Sequence, residues 1–377
     1  MPRSPAYLIL TFALLAVGLV AADPLRFPAP APGHFTNPLR EGADPWVTRD
    51  GAGKRWLWCT APSAERIVIR ATPTLTASGT EHVIWQPPAT GPASAQVWAP
   101  EVHFLSGHWY LYFAASDGRN ENHRAFVLSA DSADPTGSWT LHGPLATGDG
   151  PDRDSPPIWA IDMTILDHKG IRYAVWSGWD TPDSDRQFLY IAKMTTPLSL
   201  TGPRVRICRN DDHLWERTEE KAESRGLNEG PQILTHAGRT FLLYSCGGAW
   251  LPTYKLGLLE LTGPDPMDPA SWQKHPRPVF QSTPRTFGVG HSCFVSITAP
   301  AAPSTPAAPP AGNITSAPSP PIDPSWWHIY HAKRSRAPGW PRDLFLQPFH
   351  FDPTGFPQFG TPLPPGSQLL LPAEGSP

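Results

Sequence analysis

The sequence predicts an all-β chain folded as a five-bladed β-propeller, and three observations carry that prediction. A two-segment unit recurs five times, at a spacing of about 60–70 residues. Each unit opens on an ionisable residue beside a short strand-like segment and continues into a second segment rich in aromatics. Between the Gly, Pro and Asp clusters the segments are short and β-branched or aromatic, and no long stretch keeps the 3.6-residue period of a helix. A unit of this length holds roughly four strands with their loops, which is one propeller blade.

The units run in order. The first opens at Asp44 in GADPWV and continues in GKRWLWCTA; the second opens at Glu101 in WAPEVHF and continues in GHWYLYFAAS. The third has Asp162 in WAIDMTI and then GIRYAVWSG, and the fourth Glu229 in LNEGPQIL and then GRTFLLYSCG. The fifth has His291 in GVGHSCFV and then SWWHIYHAK. The intervals from Asp44 to Trp58, Asp162 to Trp176 and Glu229 to Tyr244 are nearly equal, as a repeat requires and unrelated loops do not. The ionisable openers are expected at one local position of the repeat.

The fifth unit is interrupted by residues 299–324, a Pro/Ala/Ser stretch too poor in apolar side chains to pack, expected as a surface excursion. Asn313 in it heads an Asn-Ile-Thr glycosylation sequon. From about Pro362 the chain is rich in Pro and Gly, so residues 366–377 are expected to form a flexible tail. At the other end, residues 7–21 are an apolar run after Arg3, and small residues precede Asp23. That pattern predicts a secretory signal peptide over residues 1–22 and a secreted, extracellular product; the run is too short for a membrane anchor. Residues 23–365 then form the propeller domain.

With 377 residues there is ample material for a core. A formal net charge of -3 and 17% charged residues leave no basic surface for nucleic acid, and no other stretch is apolar enough to enter a membrane. Sixteen tryptophans suit strands, and they also suit a protein that handles sugars. Cys59, Cys246 and Cys293 sit in apolar segments and read as small buried hydrophobes, with Cys208 outside them and pairing left open. No interface pattern is readable, so the expected state is a monomer.

In a propeller the innermost strand of each blade lines the central channel, so residues near its start gather at one mouth. Asp44, Asp162 and Glu229 would then share a pocket. Like charges in a confined site cannot all ionise freely, so at least one carboxyl becomes an acid at neutral pH. A proton donor and a base are the minimum equipment for cleaving a glycosidic bond.

These motifs together resemble family 43 of the glycoside hydrolases, five-bladed propellers that include α-L-arabinofuranosidases, arabinanases and β-xylosidases. The resemblance runs over about residues 35–362, through ADPWV, WAPEVHF, AIDMTIL, LNEGPQIL, GVGHSCF, YHAK and LFLQPFHFD in family order. It implies Asp44 as general base, Glu229 as general acid, and Asp162 as the group that raises the acid's pKa and orients it. It implies inversion, with roughly 6.5–9.5 Å between acid and base carboxyls. It also implies that no cofactor is required. His291 would lie near the channel centre, binding calcium directly or through water, or serving structure alone; Ser292 stands where relatives commonly carry Asn.

Glu101 reads as scaffolding. Trp98, Trp46 and Trp159 are candidates to stack on sugar, with core packing as the other reading of each. Arg342 in WPRDLFLQPF is a candidate to hold Asp44 ionised and bind substrate, or is a surface Arg. Within the family the chain most resembles secreted exo-α-L-arabinofuranosidases, through WAID, VWSGW, QFLYIAKM and KLGLLEL. The expected partner is therefore an arabinose- or xylose-containing polysaccharide or oligosaccharide, the expected product terminal L-arabinofuranose. A β-xylosidase, an endo-arabinanase and a non-catalytic carbohydrate-binding propeller remain the alternatives. The fructan-hydrolase propellers carry a WMNDP segment that is missing here.

Overall fold

A computed structural model describes residues 27–149, 157–297 and 325–374. The expected signal peptide, the 299–324 insertion and Asn313 lie outside these residues. Five antiparallel meanders are arranged as the blades of a propeller, and single-turn 3-10 segments are the helices found among the described residues. Blade one is Trp46–Arg49, Trp56–Thr60, Ile67–Thr72 and Thr80–Trp85, and blade two is Ala95–Leu105, His108–Ser116, Arg124–Ala130 and Trp139–Pro144. Blade three is Ala160–His168, Ile171–Trp179, Gln187–Thr196 and Ser199–Cys208. Blade four is Asn228–His236, Arg239–Cys246, Lys255–Leu261 and Trp272–Lys274. Blade five takes Gly290–Ser296, Trp326–Lys333 and Arg342–Phe351 from the C-terminal end and Arg40–Glu41 from the N-terminal end, with Arg40 facing Leu344. That last pairing closes the ring by tying the N-terminal end of the propeller to its C-terminal blade.

The aromatic-rich second strands show why no hydrophobic alternation marks them. Alternate side chains of a strand point to opposite faces, and in a propeller both faces meet a neighbouring blade. Trp56 and Trp58 pack toward blade five against Trp327 and Ile329, while Leu57 and Cys59 pack toward blade two against Leu111 and Phe113. Phe113 and Tyr112, Val175 and Trp176, and Leu243 and Tyr244 divide in the same way between their two neighbours. Each large side chain so buried contributes roughly 1.5–3 kcal/mol by leaving water. All four cysteines are buried and unpaired in these layers.

The inner strands correct the expectation that the five openers are equivalent. Each inner strand has a residue in left-handed backbone near its start: Asp44 (φ 49°), Ala99 (φ 42°), Asp162 (φ 55°), Gly230 (φ 55°) and His291 (φ 46°), with Gln96 (φ 52°) a second one in blade two. In blades two to five this residue lies in a bulge, where three inner-strand steps oppose two on the next strand. The residue two places on is always cross-paired: Trp46, Glu101, Thr164, Gln232 and Cys293. Asp44, Asp162 and His291 therefore share one position, Glu229 lies one residue before it and Glu101 two residues after. Left-handed backbone costs a non-glycine residue about 1–2 kcal/mol, and such strain gathers where side chains must be aimed. Blade four uses glycine there, and a Cβ on Gly230 would come within 3.1 Å of His291 Nδ1.

The end of the chain is also more ordered than its composition suggests. Gln368–Leu370 pairs with His34–Thr36, and the Glu374 carboxylate accepts from Trp56 Nε1 at 2.7 Å and Leu75 N at 2.6 Å. The segment expected to be a flexible tail is thus fastened to blade one through residue 374.

Candidate active site

Each inner strand starts at one mouth of the channel and the second strand returns to it. The loops between second and third strands, and those between blades, accordingly surround the same opening. Asp44, Asp162, Glu229 and His291 meet there.

Asp44 is half-buried, and three nitrogens converge on its Oδ1. Arg342 Nη1 and His331 Nδ1 lie at 3.2 Å and His291 Nδ1 at 3.3 Å. Burial alone would raise the pKa of this carboxyl, but Arg342, His291 and His331 outweigh it and hold the group well below the usual carboxylate range. His331 is kept neutral, its pKa pushed down to about 3 by burial and by Arg342.

The other two carboxyls experience the reverse. Burial raises the pKa of Asp162 to about 7, His291 opposes, and the charges of Glu229 and Asp44 add to the rise. Burial also raises Glu229, against the Tyr254 hydroxyl, the Gln187 amide and His291. Tyr254 Oη lies close without forming a well-aligned hydrogen bond. Burial thus shifts Asp162 and Glu229 toward the protonated form, while its cationic neighbours shift Asp44 toward the ionised one. Asp162 Oδ2 also accepts from Gly230 N at 2.9 Å, which pins the backbone one residue from Glu229.

A pH-dependent stability follows. An unfolded Asp titrates near pH 4, so between about pH 4 and 7 the folded protein keeps a proton at Asp162 that the unfolded chain has lost. Stability from this group therefore falls as pH rises through that window. Asp162→Asn, neutral throughout and able to keep the Gly230 bond, is expected to melt above the native protein at pH 8. Thermal denaturation at several pH values checks this, with the difference vanishing near pH 4.

Gln187, buried at the start of the third strand of blade three, was not singled out from sequence. Its Nε2 donates to Glu229 Oε2 at 2.8 Å, and its carbonyl accepts from the buried Asn210 Nδ2 at 2.7 Å. Asn210 Nδ2 also reaches Gly226 O at 2.9 Å, tying this strand to the segment leading to Glu229. A donor to a carboxylate favours its ionised form. Gln187→Leu should therefore raise the pKa of Glu229, moving the alkaline limb of kcat/KM upward by about one pH unit. A pH–rate profile reads this, since a mere loss of folded protein lowers the curve without moving its limb.

The remaining candidates divide. Arg342 is in the site, on Asp44. Trp98 is half-buried and stacks on His123 at 3.7 Å, and Trp159 stacks on Trp179 at 5.0 Å and donates to Asn120 O. These rings form one aromatic patch at the mouth between blades two and three. Trp46 is not grouped with them: its Nε1 donates to Val102 O at 2.7 Å and its ring packs on His103, between blades one and two. Glu101 is buried below the bulge, accepting from Gln232 Nε2 and lying 3.1 Å from His103 Nε2. His331 and Gln187 stand in segments that carry the repeat or the family resemblance, and Tyr254 stands just ahead of one, so the sequence assigns none of them a role of its own. The signal was a polar residue in an otherwise apolar inner or middle strand.

Calcium needs six to eight oxygen ligands, and the residues about His291 do not offer that set. Among the described residues no group of three or more His, Cys, Asp or Glu is arranged to hold a metal ion. Asp44 Oδ1 is committed to Arg342 and two histidines, Asp162 to Gly230 N, and Ser292 Oγ lies 2.7 Å from His328 Nε2.

Comparison with known proteins agrees with this geometry. The family model described as Glycosyl hydrolases family 43 matches residues 35–300. The extracellular exo-alpha-(1->5)-L-arabinofuranosidase of Streptomyces chartreusis is 35% identical over 78% of this chain and 88% of its own length. Alpha-L-arabinofuranosidase 43 of Humicola insolens is 32% identical over 92% of this chain and 68% of its own. The crystal structure of an alpha-L-arabinofuranosidase from Lactobacillus brevis superposes with a TM-score of 0.71 at 29% identity, covering 88% of this chain and 97% of that one. No helix among the described residues is long and apolar enough to cross a membrane.

Proposed function

The chain belongs to glycosyl hydrolases family 43 and is a glycoside hydrolase, and from that premise we propose that it is an exo-α-L-arabinofuranosidase. It releases terminal L-arabinofuranose from arabinan or arabino-oligosaccharides, with inversion. The observation that carries the mechanism is geometric: Arg342, His291 and His331 gather on Asp44, while burial raises the pKa of Glu229 in the same mouth.

Asp44 is the general base. Its Oδ1 is held by Arg342, His291 and His331, and its Oδ2, without a hydrogen-bond partner among the described residues, takes the proton of the attacking water. Glu229 is the general acid. Gln187 occupies its Oε2, so Oε1 carries the proton to the leaving oxygen as the glycosidic bond breaks. Asp162 acts on Glu229 by charge and by fixing the Gly230 backbone. Trp98, half-buried at the mouth, is the ring available to the sugar, whereas Trp159 is buried against Trp179. His291 supports the base as its charged partner.

The relatives' names support arabinofuranose as the sugar, and the name of the Streptomyces protein together with the apolar run over residues 7–21 supports secretion. Paired methyl α-L-arabinofuranoside and methyl β-D-xyloside assays test the sugar. Preferred cleavage of the arabinoside is expected; preferred cleavage of the xyloside overturns the assignment.

A further inference from the structure

Two tryptophans stand at the active-site mouth outside the mechanism. Trp340 is 61% exposed, whereas the other fifteen tryptophans are buried or half-buried. A single exposed indole needs no explanation, but two paired at the rim of a reactive pocket form an apolar patch of the kind that marks a ligand site. Trp340 ends the loop between the second and third strands of blade five. Trp250 lies in the corresponding loop of blade four, and the two rings are 5.9 Å apart.

The pair is a built feature. Gly339 N donates to Trp250 O at 2.9 Å, joining the two loops. Lys333 Nζ, on a buried side chain, donates to Gly339 O, and Arg334 N donates to Pro341 O at 3.1 Å, so the loop bearing Trp340 is fastened at both ends. The Trp340 ring lies 5.7 Å from the Arg342 guanidinium, which itself holds Asp44. One side chain thus separates the aromatic pair from the reacting carboxylate. Trp250 also lines a depression of about 450 Å³ with Arg225, Glu219 and Thr253, an indole face beside hydrogen-bonding groups.

We propose that Trp250 and Trp340 form a subsite for the sugar next in the chain to the terminal arabinofuranose, stacking its C–H face on indole while the polar residues of the depression meet its hydroxyls. This rests on the function proposed above and adds a preference for oligosaccharides over simple glycosides. The terminal sugar binds among the carboxyls, and its neighbour lies on the platform between blades four and five.

The test is the ratio of kcat/KM for linear α-1,5-arabinotriose to that for methyl α-L-arabinofuranoside, which has no second sugar. Trp340→Ala and Trp250→Ala are each expected to lower this ratio about three- to tenfold, and Trp340→Tyr to retain most of it. Trp250→Ala leaves the ring beside Arg342 in place, so its result does not depend on the base. An unchanged ratio in both alanine variants overturns the subsite. Turnover of the methyl glycoside by the native protein reports the assignment of activity separately, so the two failures are distinguishable.

Discussion

Glu229→Gln is expected to lower kcat on arabino-oligosaccharides by about 10³-fold, the middle of the range for loss of a general acid. The amide keeps the volume and can still meet Gln187, but it has no proton to give. The loss should depend on the leaving group. An alkoxide departs only when protonated, whereas 2,4-dinitrophenolate leaves without help. On 2,4-dinitrophenyl α-L-arabinofuranoside the variant should therefore recover most of the native rate. A leaving-group series on both enzymes measures this, and an equal loss at every leaving group would take the acid's role away from Glu229.

Asp44→Asn should produce a loss of at least similar size, about 10³- to 10⁴-fold, and one that no leaving group repairs. Water must still be deprotonated whatever departs. The variant also leaves Arg342, His291 and His331 facing an amide where their charge partner stood. Its KM for the methyl glycoside should change far less than kcat. The contrast between the two leaving-group slopes, steep for the Glu229 variant and flat for the Asp44 variant, separates acid from base.

The ring of five blades could be read because each blade repeats a local pattern whose cause is local. Both faces of the second strand are covered, so those strands are continuously apolar and aromatic, and the intervals between them recur. That Asp44, Asp162 and Glu229 come together could be read for a related reason: an ionisable residue beside an apolar strand has few structural uses. What the repeat concealed was the bulge. Asp44 and Asp162 occupy the left-handed position while Glu229 sits one residue before Gly230, and a shift of one residue is invisible when the segments carry no common residue to align them. Gln187 and His331 serve the site through contacts between residues 42 and 287 positions apart, which no spacing within one unit reports. Trp46 shows the opposite limit. Its place beside Asp44 left stacking on sugar and core packing both open, and the strand's alternation turns the ring into the layer between blades.

In the proposed mechanism a deprotonated Asp44 activates water on one face of the sugar while Glu229 protonates the leaving oxygen on the other. Proton NMR of the first sugar released from methyl α-L-arabinofuranoside, recorded before mutarotation, tests it most directly. Initial appearance of β-L-arabinofuranose is the predicted result, and initial appearance of the α anomer would contradict it.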